Sequence, residues 1–471
     1  MSKGKVYLVG AGPGDPGLMT LKGYRLLCRA DVVLHDHLVP VELLACCKPS
    51  AEIIPVGKFA GRHTLPQAQI NQMLVEKASN NSIVVRLKGG DPFLFGRGGE
   101  EAEACAQAGI DFEVVPGITS ALAAPTYAGI PPTHRDYTPS VAIVTGHRRE
   151  DKQLEIPRAG TIIFLMGVAN VRQIITALLD AGWPSTTRIA AIENATCYNQ
   201  RVITGTLDNF AEVVHRENLR TPAVFIAGTV VELRQKLKWF DTKPTVLFCG
   251  LHPERYEHLG NILHRPMIDC VALDDYGPLD TALERLNSFD WIVFTSGNAI
   301  KFFFHRLRAT GRDARAIVPA KVAVIGAASA ERLADFGVAA DLCAGVESSA
   351  GLLQEFRRLG VRDKAILLPQ SQIAGSELSD GLTELGAAVE VVPVYKTIQR
   401  DPGEIDFAHI DQILFTSGST VRAFVEKFGS VPEHIKVFCL GPVTLAEAAK
   451  HNIRAELLPG SKAARGSTHD D

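Results

Sequence analysis

The heptapeptide Phe-Thr-Ser-Gly-Asn-Ala-Ile at residues 294–300 recurs as Phe-Thr-Ser-Gly-Ser-Thr-Val at residues 415–421. Each copy follows a short apolar run and precedes an amphipathic stretch. A second shared phrase follows at a similar distance, at residues 321–326 after the first copy and at 436–441 after the other. This order is typical of a strand–turn–helix unit. The repeat therefore predicts two similar lobes that face one cleft.

The rest of the chain also alternates between short apolar runs and segments of helical length. Helix-length segments such as 66–78 and 98–108 separate the runs. The runs are rich in β-branched residues and lie at 6–9, 32–34, 83–87, 141–144, 161–165 and 223–226. This alternation predicts an α/β fold with largely parallel sheets.

The length of 471 residues predicts two to four domains. We expect a boundary near residues 236–244, where a charged helical end runs into a new strand. The expected domains are 1–241 and 244–460. The small, polar segment 461–471 is predicted to be a disordered tail.

Composition excludes several classes of protein. A net charge of −3 argues against a nucleic-acid binder that acts through bulk positive charge. We expect neither a signal peptide nor a membrane span, since the first residues pass directly into a strand and no apolar run is long enough. The 9 cysteines are scattered, odd in number and without a CxxC pair. We therefore expect free thiols, a cytoplasmic location and no metal site.

The loop Gly-Ala-Gly-Pro-Gly-Asp at residues 10–15 follows the first strand. It departs from a dinucleotide fingerprint, because Asp15 replaces the third glycine and Pro13 removes one backbone N–H donor. The carboxylate of Asp15 would also repel a pyrophosphate. Its glycines still let a ligand approach the backbone closely.

Two further motifs in the first half combine glycine with charge. Residues 86–101 carry five glycines among Arg86, Lys88, Asp91 and Arg97 at the end of an apolar strand, which favours a ligand site over a simple tight turn. Residues 133–136 read Thr-His-Arg-Asp after a proline-stiffened loop. The adjacent cationic side chains there are plausible carboxylate receptors.

Together, residues 10–15, 86–101, 133–136 and 222–224 resemble uroporphyrinogen-III C-methyltransferase, over residues 3–239. The resemblance implies two α/β lobes with S-adenosylmethionine bound between them. It also implies Asp36 as proton acceptor and Lys58 as proton donor. The implied cofactor contacts are Pro13, Gly89, Gly90, Asp91, Leu94, Thr119, Ser120, Met166 and Ala195.

Each implied role has a plainer alternative. Asp36 could instead cap the turn that follows it, and Lys58 could be a solvated surface charge. The implied substrate carries eight carboxylates, and its candidate receptors could each be ordinary surface residues. These receptors are Arg86, Arg97, His134, Arg135, Arg148 and Arg149. The chain departs from the family at Phe59, Pro132 and Ala195, where Arg, a small or aliphatic residue and Gly are usual.

The two Thr-Ser-Gly turns place hydroxyl and free N–H groups at the start of a helix. Such groups form an anion-binding end without formal charge, although helix capping alone would also explain them. Because the turn occurs twice, we favour a ligand with several carboxylates. The candidate residues are Thr295, Ser296, Thr416 and Ser417.

Residues 244–459 resemble uroporphyrinogen-III synthase through these turns and the runs 324–326, 364–369 and 391–397. The resemblance implies two lobes joined by a two-stranded hinge, the first from about 244–273 plus 397–459 and the second from about 274–396. It implies Tyr395 as the residue that assists hydroxyl loss from linear hydroxymethylbilane. Gly250 stands where that family usually has Arg, a role that Arg255 could take, and the family's last helix is missing.

The two resemblances predict a bifunctional enzyme of tetrapyrrole biosynthesis. The C-terminal half is expected to close hydroxymethylbilane to uroporphyrinogen III, and the N-terminal half to methylate that product twice to precorrin-2, for siroheme or cobalamin. One alternative keeps the methyltransferase beside a non-catalytic tetrapyrrole-binding module. Another alternative is that the N-terminal half methylates a different corrinoid. The methyltransferase resemblance also implies a homodimer.

Overall fold

The computed structural model describes residues 4–57, 65–79, 83–147 and 154–459. The chain divides into two compact units, Met1–Lys243 and Pro244–Asp471. Several residues of interest lie outside the described ranges. They are Lys58, Phe59, Arg148, Arg149 and the expected tail at 461–471.

The first unit opens with a five-stranded parallel sheet in the order β3-β2-β4-β1-β5. Its central strands are buried on both faces, as expected for a parallel sheet covered by helices. Val84 packs with helices on one face, and Val85 packs on the other. The strands are β1 Lys5–Gly10, β2 Val32–His35, β3 Glu52–Pro55, β4 Ile83–Lys88 and β5 Asp111–Val115.

A second sheet of the first unit is mixed, in the order β6-β7-β10-β8-β9. Only β6 and β7 are parallel, whereas β10 pairs antiparallel with both of its neighbours and β8 with β9. The largely parallel arrangement that we expected therefore does not extend to this sheet. Seven residues join β8 to β9, too few for the crossover that parallel strands need. The strands are β6 Val141–Thr145, β7 Thr161–Leu165, β8 Arg188–Glu193, β9 Arg201–Thr206 and β10 Ala223–Ala227.

Eight helices connect or cover these strands in the described residues of the first unit. The apolar residues of α3 and α4 pack on one face of the parallel sheet, and those of α1 and α2 pack on the other. The helices are α1 Leu21–Leu27, α2 Val41–Leu44, α3 Gln67–Ala78, α4 Gly98–Gln107, α5 Ser120–Tyr127, α6 Val171–Asp180, α7 Phe210–Arg216 and α8 Arg234–Leu237.

The second unit contains two sheets, in the orders β12-β11-β19-β20-β21 and β13-β18-β17-β14-β15-β16. All pairs are parallel except β13 with β18. The strands are β11 Thr245–Phe248, β12 Asn261–His264, β13 Ile268–Val271, β14 Trp291–Phe294, β15 Lys321–Val324, β16 Leu342–Cys343, β17 Ala365–Ser371, β18 Ala388–Gln399, β19 Gln412–Phe415, β20 Lys436–Cys439 and β21 Glu456–Leu457.

The sequence repeat is a structural repeat. In both sheets a strand, a helix, a strand, a helix and a short third strand follow in that order, and the three strands are parallel neighbours. One copy runs from β14 to β16 and the other from β19 to β21. The helices of this unit are α9 Gly277–Glu284, α10 Gly297–Ala309, α11 Ala327–Ala334, α12 Ser349–Leu359, α13 Glu377–Glu384, α14 Gly418–Phe428 and α15 Pro442–Lys450.

A two-stranded antiparallel segment joins the two sheets of the second unit. Strand β13 pairs with the end of the 12-residue strand β18, from Ile268 opposite Gln399 to Val271 opposite Lys396. We expected residues 268–271 to lie in the discontinuous lobe, whereas this pairing attaches them to the six-stranded sheet. Among the described residues, no helix combines the length and apolar character that crossing a membrane requires.

Candidate active sites

Three glycine-containing turns converge at the carboxyl edge of the parallel sheet in the first unit. A Cβ atom on Gly117 would lie 2.2 Å from the carbonyl oxygen of Gly90 and 2.7 Å from the Cα of Gly10. Gly12 and Gly90 exchange backbone hydrogen bonds of 3.3 and 2.7 Å. Side chains are thus excluded where the turns after β1, β4 and β5 meet, which leaves backbone atoms to line a cradle.

The carboxylate of Asp91 ties two of these turns together. It accepts hydrogen bonds from the backbone N–H groups of Phe93 at 2.8 Å, Leu94 at 3.2 Å and Gly117 at 3.0 Å. These bonds hold the turn after β4 against the turn after β5. Asp91 therefore shapes the cradle through the bonds that its carboxylate accepts from the backbone.

The first glycine loop also closes against the mixed sheet. The backbone N–H of Asp15 donates to the hydroxyl of Thr196 at 2.9 Å, and the hydroxyl of Tyr127 donates to the carboxylate of Asp15 at 2.9 Å. Gly14 has a positive φ of 151°, and a Cβ atom there would lie 2.7 Å from the sulfur of Cys197. The two lobes of the first unit thus meet at this loop.

Unusual backbone conformations accompany the cradle. Four non-glycine residues around it adopt positive φ angles, namely Phe95 at 52°, Arg97 at 60°, Met166 at 58° and Thr196 at 69°. Such angles are uncommon for bulky or β-branched residues and concentrate at ligand sites. Met166 is 51% exposed at the end of β7.

The structure brings together most of the residues expected to contact the cofactor. Gly89 and Gly90 lie beside Asp91, and a Cβ atom on Gly90 would lie 3.8 Å from the backbone nitrogen of Ser120. Leu94 and Ala195 pack in one apolar cluster. Thr119 caps α5 by accepting from Ala121 N–H at 3.3 Å. Pro13 is half-buried in the first loop.

A buried set of charges lies beneath the cradle. Asp36, at the end of β2, is ion-paired with Arg86 on β4. Arg86 donates through Nε to Glu101 on α4 at 2.9 Å, and the Lys88 ammonium lies 3.0 Å from both oxygens of Glu101. Burial opposes the charged form of Arg86, but Asp36 and Glu101 hold its pKa above the ordinary value. Burial and the nearby guanidinium of Arg86 lower the pKa of Lys88.

Arg86 is therefore not an open carboxylate receptor. It is 2% exposed, and its donors are bonded to Asp36, Glu101 and the carbonyl groups of Leu34 and Leu87. Its place beside Asp36 suits a residue that orients that carboxylate.

The other candidate receptors of the first unit are accessible. Arg97 is exposed and paired with Glu100 at 2.6 Å on the first turn of α4. His134 is half-buried, accepts from Asp136 N–H at 3.2 Å and packs edge-on against Tyr137. Arg135 is exposed. These three residues are available to carboxylates of a ligand.

In the second unit, both Thr-Ser-Gly turns cap a helix. The Ser296 hydroxyl accepts from Ala299 N–H at 3.1 Å, and the Ser417 hydroxyl accepts from Thr420 N–H at 3.4 Å. Thr295 and Thr416 are half-buried beside them. The capping explanation therefore holds for the two serines, while anion binding there remains a prediction.

Tyr395 lies in β18 just before the antiparallel segment. Its side chain is 8% exposed, stacks on Phe302 with ring centroids 5.4 Å apart and bonds to the hydroxyl groups of Ser296 and Ser371. Burial raises the pKa of Tyr395. The phenol thus lies beside one of the two turns.

Gly250 follows β11 and lies against the other turn. A Cβ atom there would lie 2.6 Å from the methyl group and 2.7 Å from the hydroxyl of Thr416. The carbonyl of Gly250 is 2.8 Å from Nε2 of His264. Arg255 is 52% exposed and lies 3.9 Å from Glu331. The absence of a side chain at position 250 thus accompanies close contact with Thr416.

Sequence reasoning missed Glu101 and Lys88 as members of this site. The motif at residues 86–101 includes Glu101, but the sequence analysis gives that residue no role. The pattern that could have indicated a buried acid is the pair of cations at positions 86 and 88, which lie on one face of an otherwise apolar strand. Such cations need a buried counter-charge, and a carboxylate on the helix that follows supplies it.

Two family models match this chain. Residues 5–211 match the Tetrapyrrole (Corrin/Porphyrin) Methylases, and residues 254–465 match Uroporphyrinogen-III synthase HemD. The fold and site therefore define a tetrapyrrole methylase followed by a uroporphyrinogen-III synthase.

Several named proteins are similar to this chain. The porphyrin biosynthesis protein HemD of Ruminiclostridium josui is 37% identical over 96% of this chain and 95% of that protein. Siroheme synthase 2 of Yersinia pestis bv. Antiqua is 47% identical over 53% of this chain, which spans 55% of that relative's length. A crystal structure of uroporphyrin-III-C-methyltransferase from Thermus thermophilus is 43% identical over 50% of this chain and 96% of that chain, with a TM-score of 0.44.

The chain belongs to the family of porphyrin biosynthesis proteins that fuse these two domains. Its two halves are a uroporphyrinogen-III C-methyltransferase domain and a uroporphyrinogen-III synthase domain. Its cofactor is S-adenosylmethionine, the methyl donor of the tetrapyrrole methylases. Beside Gly89 and Gly90 the nearest atoms to an added Cβ lie at 3.4 and 3.8 Å, so a ligand can approach these backbone groups, which fits this cofactor.

Proposed function

We propose that this enzyme carries out two consecutive steps of tetrapyrrole biosynthesis. The C-terminal half closes hydroxymethylbilane to uroporphyrinogen III, and the N-terminal half methylates that product twice to precorrin-2, which supplies siroheme or cobalamin. The observation that carries the proposal is the pairing of both domains in one chain, because the product of one is the substrate of the other.

In the methyltransferase half, the cofactor supplies an electrophilic methyl group on a sulfonium. We assign the cofactor contacts to Gly89, Gly90, Asp91 and the other residues expected above. Asp36 accepts the proton that the macrocycle loses after methylation. Arg86, bonded to Asp36, holds that carboxylate in place.

Substrate carboxylates are assigned to the accessible side chains of Arg97, His134 and Arg135. Their guanidinium and imidazole groups suit a ligand with many carboxylates. Lys58 is proposed as the proton donor by resemblance alone, since it lies outside the described residues. We also propose a cytoplasmic homodimer that assembles through the methyltransferase half.

In the synthase half, ring closure requires loss of hydroxide from the linear substrate and attack on its terminal ring. We assign to Tyr395 the role of assisting hydroxide loss, and the position of its phenol beside Ser296 supports this assignment. The turns that contain Thr295 and Thr416 hold substrate carboxylates through hydroxyl and N–H groups. Catalysis then depends mostly on holding one folded conformation of the substrate.

Purified enzyme supplied with hydroxymethylbilane, with and without S-adenosylmethionine, tests both activities. Without the cofactor we expect uroporphyrinogen III, and with it precorrin-2. Formation of uroporphyrinogen I alone in the first reaction would contradict the synthase assignment. Unmethylated uroporphyrinogen III in the second would contradict the methyltransferase assignment.

A second candidate keeps the methyltransferase and makes the C-terminal half a tetrapyrrole-binding module without catalysis. Gly250 favours it, because a cation usual at that position in synthases is missing. The same experiment separates the two candidates when uroporphyrinogen III is supplied in parallel. The binding module predicts methylation of supplied uroporphyrinogen III together with uroporphyrinogen I as the product from hydroxymethylbilane.

A further inference from the structure

Four ionisable side chains form one chain of contacts under the methyltransferase site. Asp36 contacts Arg86, Arg86 contacts Glu101, and Glu101 contacts Lys88. Gln67 on α3 adds a neutral donor to Glu101 at 3.2 Å. The set contains two carboxylates and two cations, so it carries no net charge when all four are ionised.

Three of the four side chains are removed from solvent. Glu101 is 0% exposed, and Arg86 and Lys88 are each 2% exposed. Removing one partner of such a set leaves an uncompensated buried charge, which is costly. Only the carboxylate of Asp36 reaches the surface, with 29% of its side chain exposed. Arg86, Lys88 and Glu101 are thus buried, whereas the Asp36 carboxylate is accessible to a ligand.

The geometry shows how Glu101 acts on Asp36. The guanidinium of Arg86 is held from one side by Glu101 through Nε and presents Nη2 to Asp36 on the other. A planar group held in this way has little freedom to rotate. The orientation of Asp36 therefore depends on a helix residue that does not contact it.

Other titratable groups also face Asp36. His35 and His37 are its chain neighbours, and burial lowers the pKa of His35 so that this ring favours the neutral form. From β4 come Arg86 and Lys88, and from α4 comes Glu101. Lys58 lies outside the described residues.

We propose that Glu101 and Lys88 are positioning residues for methyl transfer, which hold Arg86 so that the Asp36 carboxylate faces the substrate. This inference rests on the proposed role of Asp36 as the proton acceptor. Glu101 anchors the guanidinium of Arg86, and Lys88 balances the negative charge of Glu101.

A double-mutant cycle tests the action of Glu101 through Asp36. Glu101→Gln preserves shape and a hydrogen-bond acceptor, and we expect it to lower kcat about tenfold while the affinity for S-adenosylhomocysteine is unchanged. In an Asp36→Asn background the same change should have no further effect on kcat. Equal losses in both backgrounds would mean that Glu101 does not act through Asp36.

The pH profile of kcat/KM tests the role of Lys88. Lys88→Met leaves two carboxylates on one guanidinium, so the site takes up a proton at higher pH and the acid limb moves up by about one unit. Glu101→Gln combined with Lys88→Met restores neutrality and should return the limb toward the wild-type position. If the acid limb of the kcat/KM profile does not move in Lys88→Met, Lys88 does not have the proposed role.

Glu103→Gln is the matched control, because it makes the same change at an exposed position of α4. We expect no change in kcat or in the pH profile. S-adenosylhomocysteine binding shows that each variant is folded. Failure of the wild-type enzyme to methylate uroporphyrinogen III would refute the proposed function. If the wild-type enzyme methylates it, but the kcat losses of Glu101→Gln and Asp36→Asn are additive and the acid limb of Lys88→Met does not move, only this inference is refuted.

Discussion

Asp36 and Arg86 are 50 positions apart in sequence and form one functional pair in the fold. Sequence reasoning identified each separately, Asp36 as a proton acceptor and Arg86 as a substrate receptor. Their pairing was not predictable, because it depends on β2 and β4 being neighbours in the sheet. The structure therefore changes the role we assign to Arg86, from binding substrate to orienting a carboxylate.

Replacing Asp36 with Asn tests the residue-scale assignment. The amide cannot accept a proton, so we expect the rate of methyl transfer to fall by at least about a hundredfold, the usual contribution of a general base. Binding of S-adenosylhomocysteine, measured by calorimetry, should be retained. Asp180→Asn, at an exposed position in α6, is the control. Full turnover by the Asp36 variant would remove this residue from the mechanism.

At the scale of elements, the strands and helices that the sequence pattern predicted are present. The runs at 161–165 and 83–87 are β7 and most of β4, and the segment 66–78 contains α3. The pattern did not reveal β8 and β9 or their antiparallel pairing. Strand direction follows from connection length and neighbours, which apolar runs alone do not encode.

Gly117→Ala tests the convergence of the three turns. The added methyl group would lie 2.2 Å from the carbonyl oxygen of Gly90, so the turns must separate. We expect the free energy of unfolding to fall by about 1–3 kcal/mol and the affinity for S-adenosylhomocysteine to fall with it. Chemical denaturation and calorimetry measure the two effects.

Gly99→Ala is the matched control for this prediction. Gly99 lies in α4, and a Cβ atom there meets nothing within 4 Å. Alanine is the better helix former, so stability should be unchanged or slightly higher. If Gly117→Ala and Gly99→Ala had the same stability and the same affinity for S-adenosylhomocysteine, the three turns would have space for the added methyl group.

Ser417 allows capping to be separated from anion binding. Ser417→Ala removes the cap of α14 and should lower the free energy of unfolding by about 0.5–2 kcal/mol. Ser417→Asp keeps a capping oxygen but adds a negative charge, so stability should be retained while the KM for hydroxymethylbilane rises. Unfolding curves and synthase kinetics distinguish these outcomes.

Ser348→Asp provides the comparison. Ser348 caps α12 by accepting from Gly351 N–H at 3.1 Å, after the outer strand β16. It belongs to neither repeated turn, so the added charge should leave KM unchanged. If Ser417→Asp also leaves KM unchanged, the repeated turn is only a helix cap.

At the scale of the whole molecule, each half has its own apolar cores. Apolar clusters around Val84, Ile163 and Phe164 lie within the first unit, and clusters around Val293, Phe294 and Phe248 lie within the second. The order of the two activities was predictable because the motifs of each half are local in sequence. The charge network under the methyltransferase site was not predictable from sequence, because its four members come from three separate parts of the chain, at the ends of β2 and β4 and in α4.

Burial of that network has a consequence for ionic strength. Dissolved salt screens charges that are exposed to water and has little effect on pairs that are removed from it. Arg97 and Arg135 are exposed, whereas Arg86, Lys88 and Glu101 are enclosed. Salt should therefore weaken capture of the acidic substrate without disturbing the carboxylate that serves the chemical step.

Kinetics in potassium chloride from about 0.05 to about 0.5 M measure this separation, because the screening length falls several-fold over that range. We expect the KM for uroporphyrinogen III to rise with salt and the kcat of methyl transfer to stay nearly constant. A kcat that fell in step with kcat/KM would show that ions reach the network. A constant kcat would show that burial of these charges makes the rate of the chemical step independent of the salt concentration around the enzyme.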